Sequence, residues 1–329
     1  MTVRDEVEFL RSNLLYHHHL GVDIAYVYDD GSTDGTAETV ADLPFVRIRQ
    51  TVKASSLAPG ERIDPADESE LYTTTRQNIN TGHALGRARA DGMTWLLAID
   101  ADELACVDMV SQEAGGLGRA LGTVPKEVEA VILRPLEIVQ RQIAFDDTMA
   151  QETLFKRADV GLKHLTFDPF TRTTHSVRGV YGHTAGKSAV RLAANLRPET
   201  VHRFRRSDGS RPTSTDLGWL LHYFCYSFEA FVRKFRLYRD HPDRHLHGHE
   251  VQLQKRLWRD VVNRSGMSEE ELRDYYQRWV MFDDREIARL RQRRWLGIVP
   301  RPPAVVEVTA ARRTFAELRA QPAELAVGR

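Results

Sequence analysis

Ala25-Tyr26-Val27-Tyr28-Asp29-Asp30-Gly31-Ser32-Thr33-Asp34-Gly35-Thr36 is the stretch that decides how this chain is read. Its first half is an apolar, aromatic run ending in two acids, which predicts a buried strand over 24–28. Asp30-Gly31 and the Ser/Thr/Asp cluster then call for a tight turn, and Thr33 or Asp34 can cap a helix over 34–41. Alone, this is an ordinary strand-turn-helix connection. In an open α/β sheet, however, ligands bind outside the carboxyl ends of strands, so acids there are placed to accept hydrogen bonds from a ribose or a base.

Downstream, a second apolar run over 95–99 stops at Asp100-Ala101-Asp102-Glu103. At an extended strand end alternate residues point the same way, so Asp100 and Asp102 can converge on one divalent cation while Ala101 faces the core. Mg²⁺ and Mn²⁺ take such oxygen ligands and usually complete their shell with substrate phosphates. A solvated turn uses the same residues. Between the motifs, 46–49 reads as a strand and 51–71 as a long polar insertion containing Pro59-Gly60 and Pro65. Residues 72–91 read as a helix with Gln77, Asn78, His83 and Arg87 among its polar positions. Upstream, Val7, Leu10, Leu14, Leu15 and His18 have helical spacing over 5–20. The alternation of strand and helix predicts an α/β fold with a mostly parallel sheet flanked by helices.

Together the two motifs resemble the family 2 glycosyltransferases and their relatives with the Rossmann-like, nucleotide-binding GT-A fold. The closer resemblance is to the subgroup akin to family 92, which opens with an acidic Asn-Glu-like pair, a Trp/His-containing helix and Leu-Gly-Val-Asp before the strand. The matching residues are Arg4-Asp5-Glu6, Phe9-Leu10 and Tyr16-His17-His18-His19-Leu20-Gly21-Val22-Asp23. Gly186-Lys187-Ser188-Ala189-Val190-Arg191, His202, and His222-Tyr223 with Ser227, Phe231 and Lys234 are similar to that subgroup further on. The resemblance implies a GT-A domain over 1–236 and a helical C-terminal region and tail over 237–329. Only Met1-Thr2-Val3 precede Arg4, so the first strand of that domain is expected to be short or missing.

The resemblance also implies metal-dependent, inverting transfer of a sugar from a nucleotide-sugar donor to a carbohydrate or glycoconjugate hydroxyl. Asp5, Glu6, Asp29, Asp30, Asp34 and Asp100 would then bind the donor nucleotide, and Lys187 and Arg191 its diphosphate. Asp100 and Asp102 would hold Mn²⁺ or Mg²⁺, with a late histidine, His222 ahead of His202, as a third ligand. A satisfied core histidine fits the apolar surroundings of His222 equally well. Inversion needs a general base. Glu152 and Asp168, with Asp146 and Asp147, lie in the right part of the chain, and nothing in the sequence discriminates among them.

Bulk properties narrow the alternatives. The 46 basic and 46 acidic residues cancel, which removes the electrostatic case for nonspecific nucleic-acid binding. The only cysteines, Cys106 and Cys225, make no disulfide framework, as suits a reducing cytoplasm. No apolar run approaches the about 20 residues that cross a bilayer, and charged Arg4, Asp5 and Glu6 argue against a signal peptide. Arg289, Arg291, Arg293 and Arg294 beside Trp295 could touch the cytoplasmic membrane face or form a solvated cationic surface. His17-His18-His19 would point in different directions on a helix, so the three cannot share one ion.

From about Asp216 the composition turns helical. An amphipathic stripe of Phe228, Phe231, Val232, Phe235 and Tyr238 precedes expected helices over 250–263, 268–280 and 283–294. Ser268 and Glu271 form a capping-box pair at the start of the second. A last short helix is expected near 315–318. Two other functions share these features. A nucleotidyltransferase would want a Gly-rich basic loop after its first strand, which this chain lacks, and a binding protein would keep the fold without turnover.

Overall fold

The computed structural model describes residues 1–53, 73–157, 164–168, 173–177, 180–241, 243, 253–292, 294–296 and 299–320. For 164–168, 173–177, 294–296 and 299–301 the description covers the backbone alone. In chain order the elements are β1 (Thr2–Val3), α1 (Leu10–His19), β2 (Ala25–Asp29), β3 (Val46–Gln50), α2 (Thr73–Ala90), β4 (Trp95–Leu97), β5 (Glu103–Cys106), α3 (Gly116–Gly122) and β6 (Ala130–Ile138). Then come α4 (Thr148–Gln151), β7 (Leu154–Arg157), β8 (His164–Asp168), β9 (Thr173–Val177), β10 (Lys187–Arg191), β11 (Arg197–Thr200), β12 (Arg203–Arg205) and β13 (Ser214–His222). The last are α5 (Phe228–Leu237), α6 (Leu253–Arg264), α7 (Glu269–Trp279), α8 (Asp284–Arg291), β14 (Arg294–Leu296), β15 (Val299–Arg301), β16 (Val305–Glu307) and α9 (Ala310–Ala320). The chain divides into two compact units.

The first unit comprises Met1–Pro135, Ala185–Leu221 and the described residues from Thr309 on. Its β1, β2 and β3 form a parallel sheet in that order, with Ala25 opposite Val46 and Tyr28 opposite Thr2. The period of two along β2 explains its apolar sequence. Val27 joins Val3, Leu10, Leu14, Val40 and Leu43 in one cluster, while Tyr26 and Tyr28 join Ala84, Leu85 and Ala88 of α2 in another. Both faces are covered, as the unbroken apolar run requires.

Around β10 the pairing is antiparallel instead: Ala189 faces Val131 of β6 on one side and Leu97 of β4 on the other. The register fixes the chemistry of the sheet end. Because β4 and β10 run in opposite directions, the first residue of β10, Lys187, lies beside the segment that leaves β4 toward Asp100. Gly186 makes this entry possible, since its φ is +73° and a Cβ there would strike the Leu133 carbonyl oxygen. Parallel and antiparallel pairings flanked by helices make an α/β structure, compatible with the Rossmann-like GT-A fold.

Two segments differ from their sequence reading, and a third carries an element that the reading did not assign. The helix expected over 34–41 shrinks to a 3₁₀ turn at Glu38–Val40, because Gly35 takes φ +88°. The segment 103–106 is a fully buried strand. Ser214–His222, expected to begin a helical region, is a nine-residue strand; a continuous apolar run such as 219–224 has no period that separates strand from helix.

A cavity of about 320 Å³ in this unit is lined by residues of α1, β2, α2 and β4, among them Asn13, Tyr26, Asn80, Ala84 and Trp95. None of Asp29, Asp30, Asp100, Asp102 or Lys187 lines it, so the acid motifs lie outside this cavity.

The second unit comprises Leu136–Thr184 and His222–Val308. Residues 136–138 pair with β7, and β7 with β16, both antiparallel. Its main core gathers Phe228, Phe231 and Phe235 of α5 with Trp258 of α6 and Tyr275 and Tyr276 of α7. The stripe read from the sequence is therefore core. Ser268 and Glu271 form the expected capping box, and Asp283 with Glu286 forms another at the start of α8. Cys106 in the first unit and Cys225 in the second are buried thiols outside any disulfide, and burial pushes Cys106 up to about 12. No helix among the described residues is long and apolar enough to cross a membrane.

Candidate functional site

The acids of the first motif are divided between holding the turn and facing outward from it. Asp29 accepts the Ser32 backbone N–H at 2.9 Å and the Gln50 amide at 3.0 Å. Burial alone would raise its carboxyl, but the bonds from Ser32, Gln50 and Gly31 prevail and hold it below the ordinary carboxylate value. Asp34 accepts from Thr36 and from the Val7 N–H, and Asp5, at φ +54°, accepts the Thr33 N–H at 2.8 Å. The Glu6 N–H donates to the Thr36 hydroxyl at 2.8 Å. Residues 5–7 and 29–36 thus close onto each other through Asp5, Asp34 and Thr36, while Asp29 braces the turn from within and ties it to Gln50.

Asp30 is bound differently. Arg76 of α2 donates to both of its carboxylate oxygens at 2.8–2.9 Å, with the Asp30 side chain 8% and the Arg76 side chain 17% exposed. The next residue, Gln77, donates to Asp100 Oδ1 at 3.0 Å. Consecutive residues of one helix therefore reach the acids of two different strand ends, which brings Asp30 and Asp100 to the same end of α2. One and two turns on, Asn80 donates to Thr2 and accepts the Val52 N–H, and His83 bonds the Tyr28 hydroxyl at 2.8 Å. Positions 76, 80 and 83 form one stripe of the helix. Burial, followed by the charges of Arg49 and Arg87, lowers His83 and favours its neutral ring.

The second motif is built on a buried scaffold. Asn13 of α1 donates to the carbonyls of Ala101 at 2.9 Å and Glu103 at 2.7 Å. His17 bonds Asn13 in turn and accepts the Ala105 N–H at 3.1 Å. The Asp100 N–H donates to the fully buried Glu103 carboxylate at 2.8 Å. Lys187, 2% exposed, sits 2.8 Å from Asp100 Oδ2 and 3.7 Å from Glu103. Burial works against its charge, yet Asp100 and Glu103, with Asp102 further off, raise its pKa above the ordinary lysine value. Asp100 remains 31% exposed and Asp102 is half-buried. Their carboxylate oxygens are the donor type that a hard divalent cation takes, so the residues present fit Mn²⁺ or Mg²⁺.

Other candidates lie elsewhere. Arg191 is at the far end of β10, about 13 Å along the strand from Lys187. There it covers the Trp95 ring at 4.4 Å and donates to the carbonyls of Val124, Pro125 and Val128. His202 bonds the Gly186 carbonyl at 2.9 Å, beside the start of β10. In the second unit His222 stacks on His183 with ring centroids 5.0 Å apart, and their ring nitrogens come within 4.8 Å, a spacing at which both could serve one metal ion. Gly182 is needed beside them, because a Cβ would collide with the His222 ring. Glu152 is fully buried, accepts the Thr153 and Leu154 N–H groups and pairs with Arg141 at 2.7 Å. The Asp168 side chain falls outside the described residues, as do 54–72 and the Arg293 position. His17, His18 and His19 diverge: His17 is core, His18 stacks on Phe45, and His19 lies 3.7 Å from Glu317.

Sequence reading did not single out Arg76, Asn13 or His183. The spacing of 76, 80 and 83 was the available signal for Arg76. The other two act through tertiary contacts that no local pattern encodes.

No family model matches the chain. It is similar to two proteins of Arabidopsis thaliana that are each named glycosyltransferase-like. One is 23% identical over 321 residues, covering 89% of this chain and 68% of the relative. The other is 22% identical over 216 residues, covering 58% of this chain and 39% of the relative.

Proposed function

We propose that this chain is a glycosyltransferase that moves a sugar from a nucleoside-diphosphate donor to the hydroxyl of a carbohydrate or glycoconjugate, with inversion. The observation that carries this reading is the pair of adjacent residues Arg76 and Gln77, which tie Asp30 and Asp100 to one helix. Two acid-bearing strand ends tied to one helix suit a nucleoside on the side of Asp30 and a diphosphate on the side of Asp100 and Asp102. The similarity to proteins named glycosyltransferase-like points the same way.

In this reading Asp30, fixed by Arg76, accepts hydrogen bonds from the nucleoside, while Asp29, Asp34, Asp5 and Glu6 keep the surrounding turns in shape. Asp102 and Asp100 would hold Mn²⁺ or Mg²⁺, which when bound supplies Lewis acidity toward the departing diphosphate. Lys187 adds a fixed positive charge on the same side, where negative charge grows as the glycosidic bond breaks.

The test is release of nucleoside diphosphate across a panel of sugar donors, with Mn²⁺ or with EDTA. Mn²⁺-dependent release with at least one donor is expected, reduced about 100-fold or more in kcat/KM by Asp102→Asn with an unchanged melting temperature. Glycan or nucleotide binding without release from any donor would replace this reading with that of a binding protein.

A further inference from the structure

Carboxylates gathered at a strand end repel one another, and metal-dependent sites commonly rely on the divalent ion to hold them together. In this chain a positive charge is already among them. Lys187 is almost fully buried against a fully buried glutamate, and the same ammonium reaches the partly exposed Asp100. Other bonds reach the backbone of the same turn: Asp100 N–H to Glu103, Glu103 N–H to the Asp100 carbonyl, and the Asn13 amide to the carbonyls of Ala101 and Glu103. Gly186, which admits no Cβ, delivers the lysine to this spot.

We propose that Lys187 is the positioning residue of the 100–103 acid turn: its ammonium, covalently part of the chain, does the assembling work of a metal ion, so that the turn has its final shape before any divalent cation arrives. A buried glutamate next to a buried lysine is stable only as a pair, because neither charge can be left alone out of water. Asp100 gains a fixed orientation from the same contact, with Lys187 on one oxygen and Gln77 on the other. An added cation then serves the donor rather than the fold. That last role rests on the reading of a donor site; the role of Lys187 does not.

Amide hydrogen exchange of the full chain tests this, read at Asp100, Glu103 and Ala105 in EDTA and in about 1 mM Mn²⁺. The wild type is expected to be protected equally in both. Lys187→Met is expected to lose protection at least tenfold in EDTA and to regain it with Mn²⁺, while Lys187→Arg stays close to the wild type. A merely space-filling lysine would give a loss that Mn²⁺ cannot repair, and that result overturns the proposal. So does a wild type that loses its protection in EDTA, or Lys187→Met that keeps it. Should Lys187→Met fail to fold, Lys187→Met with Glu103→Gln removes both buried charges and is expected to show the same loss and the same Mn²⁺ recovery. Absence of sugar transfer would leave these exchange results standing, so the two readings fail separately.

Discussion

Each unit buries a lysine against a glutamate, and the two pairs are built to different ends. In the second unit Lys156 lies 2.7 Å from Glu137 and 2.6 Å from Gln140, over the Tyr181 ring, and both charged side chains are 0% exposed. The Glu137 carboxylate also accepts the Tyr181 and Gly182 N–H groups. Burial there outweighs the single acid and lowers Lys156. In the first unit Lys187 meets Asp100 and Glu103 with Asp102 beyond, and the acids win over burial. One arrangement is a sealed knot that orders the chain leading to His183. The other gathers three acids about one lysine and keeps Asp100 partly in water.

The contrast can be broken most forcefully at the sealed pair. Glu137→Ala strands a buried ammonium and frees two backbone N–H groups, so a loss of about 3–5 kcal/mol in urea unfolding is expected, with nucleotide affinity per folded molecule unchanged. An effect under about 1 kcal/mol would mean that the pair is not the structural knot described.

A pH scan sharpens the other side. Burial pushes His17 down to about 4 from an ordinary 6.5, so between those values the unfolded chain binds the proton and the folded chain does not. Stability therefore falls as pH drops from 6.5 toward 4, by roughly 3 kcal/mol for this group. Denaturant melts at several pH values should show that slope, and His17→Asn should flatten it.

Arg76→Ala is expected to cost about 1.5–3 kcal/mol of stability through the charged bonds to Asp30. It should also weaken nucleoside diphosphate binding by isothermal calorimetry at least fivefold. Loss of stability without loss of affinity would make Arg76 a counterpart of Arg141, a clamp on a structural acid. The smallest effect belongs to Ser268→Ala, where removal of the capping box on α7 should cost about 1 kcal/mol in thermal melts and leave binding untouched.

Much of the fold was legible where its signals are local. The apolar run of β2, the Asp-Gly turn, and the Ser268–Glu271 cap are each set by neighbours in sequence, and all three are present. Glu103 was harder to read: nothing beside Asp100-x-Asp102 in the sequence marks it for burial, and the lysine that meets it comes from β10. β13 was misread because its apolar run carries no period, and the division of labour among Asp5, Asp29, Asp30 and Asp34 depends on which of them meets Arg76. Partners 46 and 87 residues apart leave no trace in a window of ten or twenty.

Neighbouring side chains leave an α-helix about 100° apart. Arg76 and Gln77 therefore grip their two acids from different directions, and no roll of α2 about its axis can loosen one grip without dragging the other. Two acids that are 70 places apart along the chain are thereby moored to adjacent rungs of one rigid rod.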